Sequence, residues 1–252
     1  MILEELYLHA FNELKSSLES YSLTAMEAIS LIDLTLLDET ASDEALSALN
    51  EKGNRYQVAA VCVLPQHTRA ITLSHELKLA TVINFPEGNQ SDQQVLSAID
   101  AALTDNKIDE IDYVFPYYDY LDGEQSFALA QCQQVLERCQ QQKLSLKVIL
   151  ETGALPSLEI IYQLSRELID YGCHFLKTST GKVAQGATPA AAFVMLKAIK
   201  DSQTNCGLKV SGGIRKPEQA FGYMALAQQI LGRTVDKSWF RIGASSLLDE
   251  LV

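Results

Sequence analysis

Three lysines stand inside runs that would otherwise read as apolar strands: Lys147 in LKV (146–148), Lys177 in LKT (176–178) and Lys209 in LKV (208–210). Side chains alternate along a strand, so each lysine points either into the centre of the fold or outward beneath covering helices. Neither place suits a lone ammonium, which must be paired or have its pKa lowered. Asp33, Asp112 and Glu151 lie in comparable runs, so structural ion pairing is one reading. The other is catalytic. An amine attacks a carbonyl only when neutral, and a free lysine, with a pKa of about 10.4, is almost wholly protonated at neutral pH. A second ammonium nearby, or a desolvating pocket, favours the neutral form. Bringing the pKa down to about 7 corresponds to about 4 kcal/mol of differential charge stabilisation. Asp112 can relay the protons of carbinolamine formation and dehydration. The protonated imine is then an electron sink for making or breaking a carbon–carbon bond. Three such lysines with carboxylates on neighbouring runs favour a site over isolated pairs.

A second group of residues suits an anion. Gly212-Gly213 follows Ser211, Gly243 precedes Ala244-Ser245-Ser246, and Thr180-Gly181-Lys182 follows the Lys177 run. Glycine lets backbone N–H groups approach an anion, the serines add hydroxyl donors and can cap a last helix, and Lys182 adds a cation. Taken singly, such segments are usually turns and caps.

These residues need a scaffold. Candidate strands cover 28–34, 58–64, 78–84, 110–116, 146–152, 175–180, 208–211 and 239–242. Several are almost continuously apolar, as expected of parallel strands buried on both faces. Between them lie amphipathic stretches with start signals: Ser42 before 43–51, Ser91 before 92–103, a helix at 125–142, one opening at Pro156-Ser157, Thr188-Pro189 before 190–200, and Lys216-Pro217 leading to about 231. Residues 1–27 form a leading helical segment. Alternating strands and helices imply a parallel sheet. Alternation alone does not separate a closed barrel from an open doubly wound sheet. The count of eight, and the lack of G-x-G-x-x-G after the first strand, favour a (β/α)8 TIM barrel with an N-terminal helical extension, one domain over 1–252. In that fold the loops after strands seven and eight often bind phosphate, and Gly212-Gly213 and Gly243–Ser246 fall there.

Composition narrows the partners. The 252 residues are 47% hydrophobic and 21% charged, with net charge −12. Such an acidic surface disfavours nucleic acid and anionic membrane, and leaves an anionic substrate to local cations and amides. The five cysteines form no C-x-x-C pair, so neither a disulfide framework nor a cysteine zinc site is expected. The acidic start MILEELYLHAFNELK lacks the pattern of a secretory signal, and no apolar run approaches the roughly 20 residues that span a bilayer. A reducing cytoplasm is the expected compartment. His67, His75 and His174 show no metal-ligand spacing, and each reads as structural or surface.

The segments FLKTSTGKV (175–183) and LKVSGGIR (208–215) closely resemble the two lysine motifs of the deoxyribose-phosphate aldolase family. DEIDYVFPY (109–117), LKVILETG (146–153), NFPEG (84–88) and GASSLL (243–248) resemble other segments of that family, in order, from about Leu31 to Leu248. The resemblance implies a class I aldolase that needs no metal and no cofactor. It implies reversible joining of acetaldehyde and glyceraldehyde 3-phosphate into 2-deoxyribose 5-phosphate. It also implies that Lys177 forms the Schiff base, Lys209 perturbs it and Asp112 relays protons. Gly181, Lys182, Gly212, Gly213, Ser245 and Ser246 fall on substrate or phosphate contacts, Thr180 near the sugar hydroxyls, and Asp33 and Lys147 on supporting positions. Barrels of this kind are often dimers, so a homodimer is expected.

Three departures stand out. The family's KPAGG pattern reads Lys209-Val210-Ser211-Gly212-Gly213, which is expected to loosen the turn. Tyr118 stands where some members carry Arg. Some members end in a tail with a terminal Tyr, whereas this sequence ends at Val252, so water or another group is expected to take that role. Cys62 reads as a small core hydrophobe, and Glu151 as a support for Lys147 or Lys209. Tyr117–Tyr120 line a loop or an interface. Alternatives remain at this stage: another Schiff-base barrel of transaldolase or keto-acid type, a barrel that only binds phosphorylated sugars, and, with less support, a metal-dependent aldolase.

Overall fold

The computed structural model describes residues 2–18, 21–74, 76–105 and 107–252; the expectation for His75 lies outside them. Eight parallel strands close a barrel in the order β1 to β8: Ile32–Leu36, Ala60–Val63, Lys78–Ile83, Glu110–Val114, Ser145–Ile149, Phe175–Lys177, Gly207–Ser211 and Phe240–Ala244. The closing pair places Asp33 opposite Gly243. The fold is the (β/α)8 TIM barrel.

The helices are α1 (Leu3–Ser17), α2 (Ala25–Ser30), α3 (Asp43–Tyr56), α4 (Asp92–Asp105), α5 (Tyr117–Leu121), α6 (Gln125–Gln141), α7 (Leu158–Asp170), α8 (Pro189–Ser202), α9 (Pro217–Leu231) and α10 (Leu247–Leu251). The capping signals act as their chemistry dictates. Ser42 Oγ accepts from the Ala45 N–H, Thr188 Oγ1 from Ala191 and Ser157 Oγ from Ile160. Ser91 and Gln94 form a reciprocal box at the start of α4.

The first strand begins later than 28. Thr24 and Glu27 form a capping box, with Thr24 Oγ1 accepting from the Glu27 N–H at 3.2 Å and Glu27 Oε2 accepting from the Thr24 N–H at 2.9 Å. This box starts α2, so residues 25–30 are helical despite their apolar character. The leading segment is accordingly two helices, the second running past residue 27. Between β2 and β3 the connection is a short 3-10 turn, Pro65–Ala70. Strands β5 and β6 end at Ile149 and Lys177, which releases Glu151 and Thr178–Thr180 into the loops above the barrel.

The core lies mainly between barrel and helices, where residues such as Val61, Ile99, Tyr113, Leu164, Val194 and Leu226 are fully or almost fully buried. The lumen is unusual. Asp33, Glu110, Asp112, Lys147, Lys177, Lys209 and Arg241 are all buried there, where TIM barrels ordinarily stack branched apolar side chains.

Candidate active site

Strand register builds the cluster. Asp112 is the Cα partner of Lys147, Lys177 that of Lys209, and Lys209 that of Arg241. Parallel partners point to the same face, so cations on three adjacent strands share the lumen. Carboxylates come from β1, which adjoins β8, and from β4. Lys177 Nζ donates to Asp112 Oδ2 at 2.8 Å and Lys209 Nζ to the same oxygen at 2.7 Å. Lys147 Nζ donates to Asp112 Oδ1 at 2.9 Å and also to Glu110 Oε2. Lys209 Nζ lies 2.6 Å from Asp33 Oδ2, an ion contact rather than a directed hydrogen bond. Arg241 bridges Asp33 Oδ1 at 2.7 Å and Glu110 Oε1 at 3.1 Å.

The charges titrate unequally. Burial would raise Asp112, yet Lys147, Lys177 and Lys209 outweigh it and hold the carboxyl well below its usual range. Burial would likewise raise Asp33, and Lys209, Arg241 and Lys147 overcome it. Burial would lower Lys147, Lys209 and Arg241, but their carboxylates prevail and each is raised. Lys177 alone among the four is lowered. Burial is the largest cause; the attraction of Asp112 opposes it and the neighbouring Lys209 adds to it. The sequence placed weight on Lys209, and the structure gives desolvation the larger share.

A pocket of about 210 Å³ opens at Lys177, lined among others by Thr180, Gly181, Lys182, Gly212, Gly213 and Ser245. Ser246 is not in this lining. It precedes α10, but its side chain makes no cap hydrogen bond, so the expected capping by Ser246 is corrected. Lys182 Nζ donates to the Leu37 carbonyl at 2.8 Å. Gly212 has φ +89° and a Cβ there would stand 2.9 Å from the Gly186 Cα, so only glycine fits without displacing that loop. Gly243 serves Lys209: a Cβ would come 3.0 Å from the Lys209 Cε and 2.8 Å from the Ser211 Cβ.

The expected loosening of the Lys209–Gly213 turn is countered by hydrogen bonds. The Ser211 N–H donates to Thr178 Oγ1 at 3.0 Å, Thr178 Oγ1 donates to the Ser211 carbonyl at 3.1 Å, and Ser211 Oγ donates to the Ser179 carbonyl at 2.6 Å. Glu151 does not hold Lys147 or Lys209. Its Oε2 accepts from the Thr180 hydroxyl and from the Thr180 N–H at 3.2 Å, while burial pushes its pKa up. Cys62 is fully buried, and burial pushes its thiol up to about 11. Tyr117 and Tyr120 are buried in α5, whereas Tyr118 is exposed and packs against the Tyr117 ring at 4.4 Å. His174 Nδ1 accepts from the Leu146 N–H at 3.1 Å, and His67 Nε2 lies 3.0 Å from the Asp38 carbonyl, so both are structural. Among the described residues no group of three or more His, Cys, Asp or Glu side chains could hold a metal ion.

Glu110 and Arg241 were not singled out in the sequence. Arg241 nevertheless carries the same signal as the lysines, a cation between Phe240 and Ile242.

The family described as DeoC/LacD aldolase matches residues 24–251. This chain belongs to that family of aldolases. A deoxyribose-phosphate aldolase of Agrobacterium fabrum is 38% identical over 247 residues, 95% of this chain and 93% of the relative. The same fold occurs in a tetrameric deoxyribose phosphate aldolase from Aeropyrum pernix, at TM-score 0.76, 23% identity and 94% coverage of each chain. A candidate deoxyribose-phosphate aldolase from Coccidioides immitis superposes at TM-score 0.80 with 24% identity, covering 100% of this chain and 97% of the other. No helix among the described residues is long and apolar enough to cross a membrane.

Proposed function

We propose that this aldolase cleaves 2-deoxy-D-ribose 5-phosphate reversibly to D-glyceraldehyde 3-phosphate and acetaldehyde, with Lys177 as the Schiff-base residue. The observation that carries the assignment is the lowering of Lys177, alone among the lumen cations, at the floor of a pocket whose rim offers a cation and glycine amides. The related Agrobacterium fabrum enzyme supplies the substrate class, a small phosphorylated sugar.

The neutral Lys177 amine attacks C1 of the open-chain sugar, and the carbinolamine loses water to give an iminium. Removal of the C3 hydroxyl proton breaks the C2–C3 bond. The electron pair flows into the iminium, leaving an enamine and releasing glyceraldehyde 3-phosphate. Protonation of the enamine carbon and hydrolysis then release acetaldehyde and restore the amine. Asp112, held ionised by three lysines, does not store a proton at neutral pH. It passes protons between the ammonium groups and the reacting oxygen. Lys209, itself held by Asp33, and Lys147 hold Asp112 in place. Thr180, fixed by Glu151, faces the sugar hydroxyls. Lys182, the amides of Gly181, Gly212 and Gly213, and the Ser245 hydroxyl receive the phosphate.

Borohydride reduction in the presence of acetaldehyde or deoxyribose 5-phosphate, followed by peptide mass mapping, tests the assignment. The expected adduct is on Lys177, and an adduct elsewhere overturns it. The same reading includes a homodimer, supported by kinship with the tetrameric Aeropyrum pernix enzyme and by the exposed Leu8, Leu18 and Phe127; sedimentation measures it. A cytoplasmic location is supported by the five free cysteines.

A further inference from the structure

We propose that Arg241 is a positioning residue that favours the neutral amine of Lys177, acting through Asp33, Glu110 and Lys209 rather than by touching substrate. The inference rests on the Schiff-base reading above and extends it to a residue outside the pocket.

The argument is a charge count. Among the described residues, the lumen cluster holds three carboxylates, Asp33, Glu110 and Asp112, and four basic side chains, Lys147, Lys177, Lys209 and Arg241. All are buried. Full ionisation would leave one positive charge in excess in a medium where an unpaired charge is costly. That excess weakens the hold on a proton of one of the bases. A guanidinium does not release one in a protein, so Arg241 fixes its own charge and the weakening falls on a lysine.

The contacts decide which lysine. Arg241 occupies an oxygen of Asp33 and one of Glu110. Lys147 occupies an oxygen of Glu110 and one of Asp112. Lys209 touches Asp33 Oδ2 and Asp112 Oδ2. Lys177 has a single carboxylate oxygen, Asp112 Oδ2, and shares it with Lys209. It is the least compensated of the four and stands at the pocket floor, where a carbonyl arrives.

Lys177 interacts directly with Asp112 on β4, Lys209 on β7 and Cys62 on β2, and with Glu151 just beyond β5, which Thr180 holds; Asp33 on β1, Glu110 on β4, Lys147 on β5 and Arg241 on β8 complete the cluster around these groups. Without Arg241 the count becomes three against three. Asp33 then holds Lys209 more strongly, Asp112 is freer for Lys177, and all three lysines can stay charged. An arginine deep in the barrel thereby controls the nucleophile without contacting it.

The test follows adduct formation on Lys177 with acetaldehyde and cyanoborohydride, from about pH 6 to about pH 10, across the range where a lysine can be brought into play. In Arg241→Met the midpoint of trapping should rise by about one pH unit, a roughly tenfold smaller neutral fraction near pH 7. In Glu110→Gln it should fall, because the excess positive charge grows. The double variant Arg241→Met/Glu110→Gln restores an excess of one cation and should return close to wild type. Arg241→Lys keeps the count but puts a base that can lose its proton where the charge was fixed, so its midpoint should lie between those of wild type and Arg241→Met. A generic loss of packing predicts no such compensation. The inference is overturned if folded Arg241→Met keeps the wild-type midpoint, or if the double variant differs from wild type as much as Arg241→Met does. If Arg241→Met does not fold, Glu110→Gln and the double variant decide the question alone. A wild-type protein that forms no adduct on Lys177 at any pH overturns the Schiff-base reading and this inference together. An adduct with unmoved midpoints overturns only the inference.

Discussion

Lys177 and Lys209 converge on one oxygen, Asp112 Oδ2, at 2.8 and 2.7 Å. The two amines are partners across β6 and β7, so backbone register brings them together. Two donors competing for one acceptor leave Lys177 poorly held as an ammonium, while Asp112 remains a firm anchor for the set.

Replacing that anchor should be costly twice over. Asp112→Asn removes the charge that three lysines face and leaves them more poorly compensated. The expected loss is about 10²–10⁴-fold in kcat, with about 3–5 kcal/mol of stability, read from deoxyribose 5-phosphate cleavage and urea unfolding. Turnover within tenfold of wild type would remove Asp112 from the proposed chemistry.

Lys209→Ala takes away a cation and frees the shared oxygen. Lys177 should then hold its proton more tightly. Covalent trapping should be suppressed near neutral pH and partly recover as the pH is raised, whereas Lys177→Ala should abolish it at every pH. Normal neutral-pH trapping in the Lys209 variant would contradict the coupling.

Gly243→Ala places a methyl group against the Lys209 side chain and Ser211. Overpacking of this kind costs about 1–3 kcal/mol. Because the flexible Lys209 side chain is one of the two groups met, the pH profile of trapping should change as well as the unfolding midpoint. A change in stability alone would show that Ser211 gives way instead.

Lys182→Met tests the phosphate reading. A charge-assisted hydrogen bond contributes about 1.5–3 kcal/mol, so KM for deoxyribose 5-phosphate should rise about 10–100-fold. Cleavage of unphosphorylated deoxyribose should change little. Equal effects on both substrates would place Lys182 outside phosphate recognition. Parallel assays with other sugar phosphates separate this activity from other Schiff-base aldolases.

Acid should weaken the fold through the lumen. Asp33 and Asp112 are held below the usual carboxylate range by their cations. A lowered folded pKa stabilises fully above the unfolded value, about 3.9, and the benefit is lost as the pH falls below it toward the folded value. The wild-type urea midpoint should therefore drop on acidification below about pH 4. Asp33→Asn should start lower at neutral pH and drop less steeply. A gap between them that does not narrow in acid would mean that Asp33 ionisation is not linked to folding.

Much of this arrangement was legible in the sequence because it violates apolar patterning. Lys147, Lys177 and Lys209 each break a strand run, and all three meet Asp112. Arg241 breaks its run in the same way, but a barrel's closing strand gives no local sign of which residue it faces. Glu110 read as the first residue of a strand, and its partner Arg241 lies 131 positions away, a pairing that only closure creates. Glu151 was expected to serve a lysine; strand β5 ends before it, and it turns to Thr180 instead. The helix at Ala25–Ser30 is not legible in the apolar pattern, because its stabilisation comes from a two-residue cap that overrides an apolar run.

The partnering of Lys177, Lys209 and Arg241 across three neighbouring strands also restricts how the chain can assemble. Sliding any one of them by a single residue turns its cation out under the helices and strands a carboxylate in the lumen. A purely aliphatic interior tolerates several near-equivalent alignments; this one penalises every alternative with an orphaned charge. The groups that perform the chemistry thus also act as the barrel's alignment key, so that a misassembled copy is at once inactive and unstable.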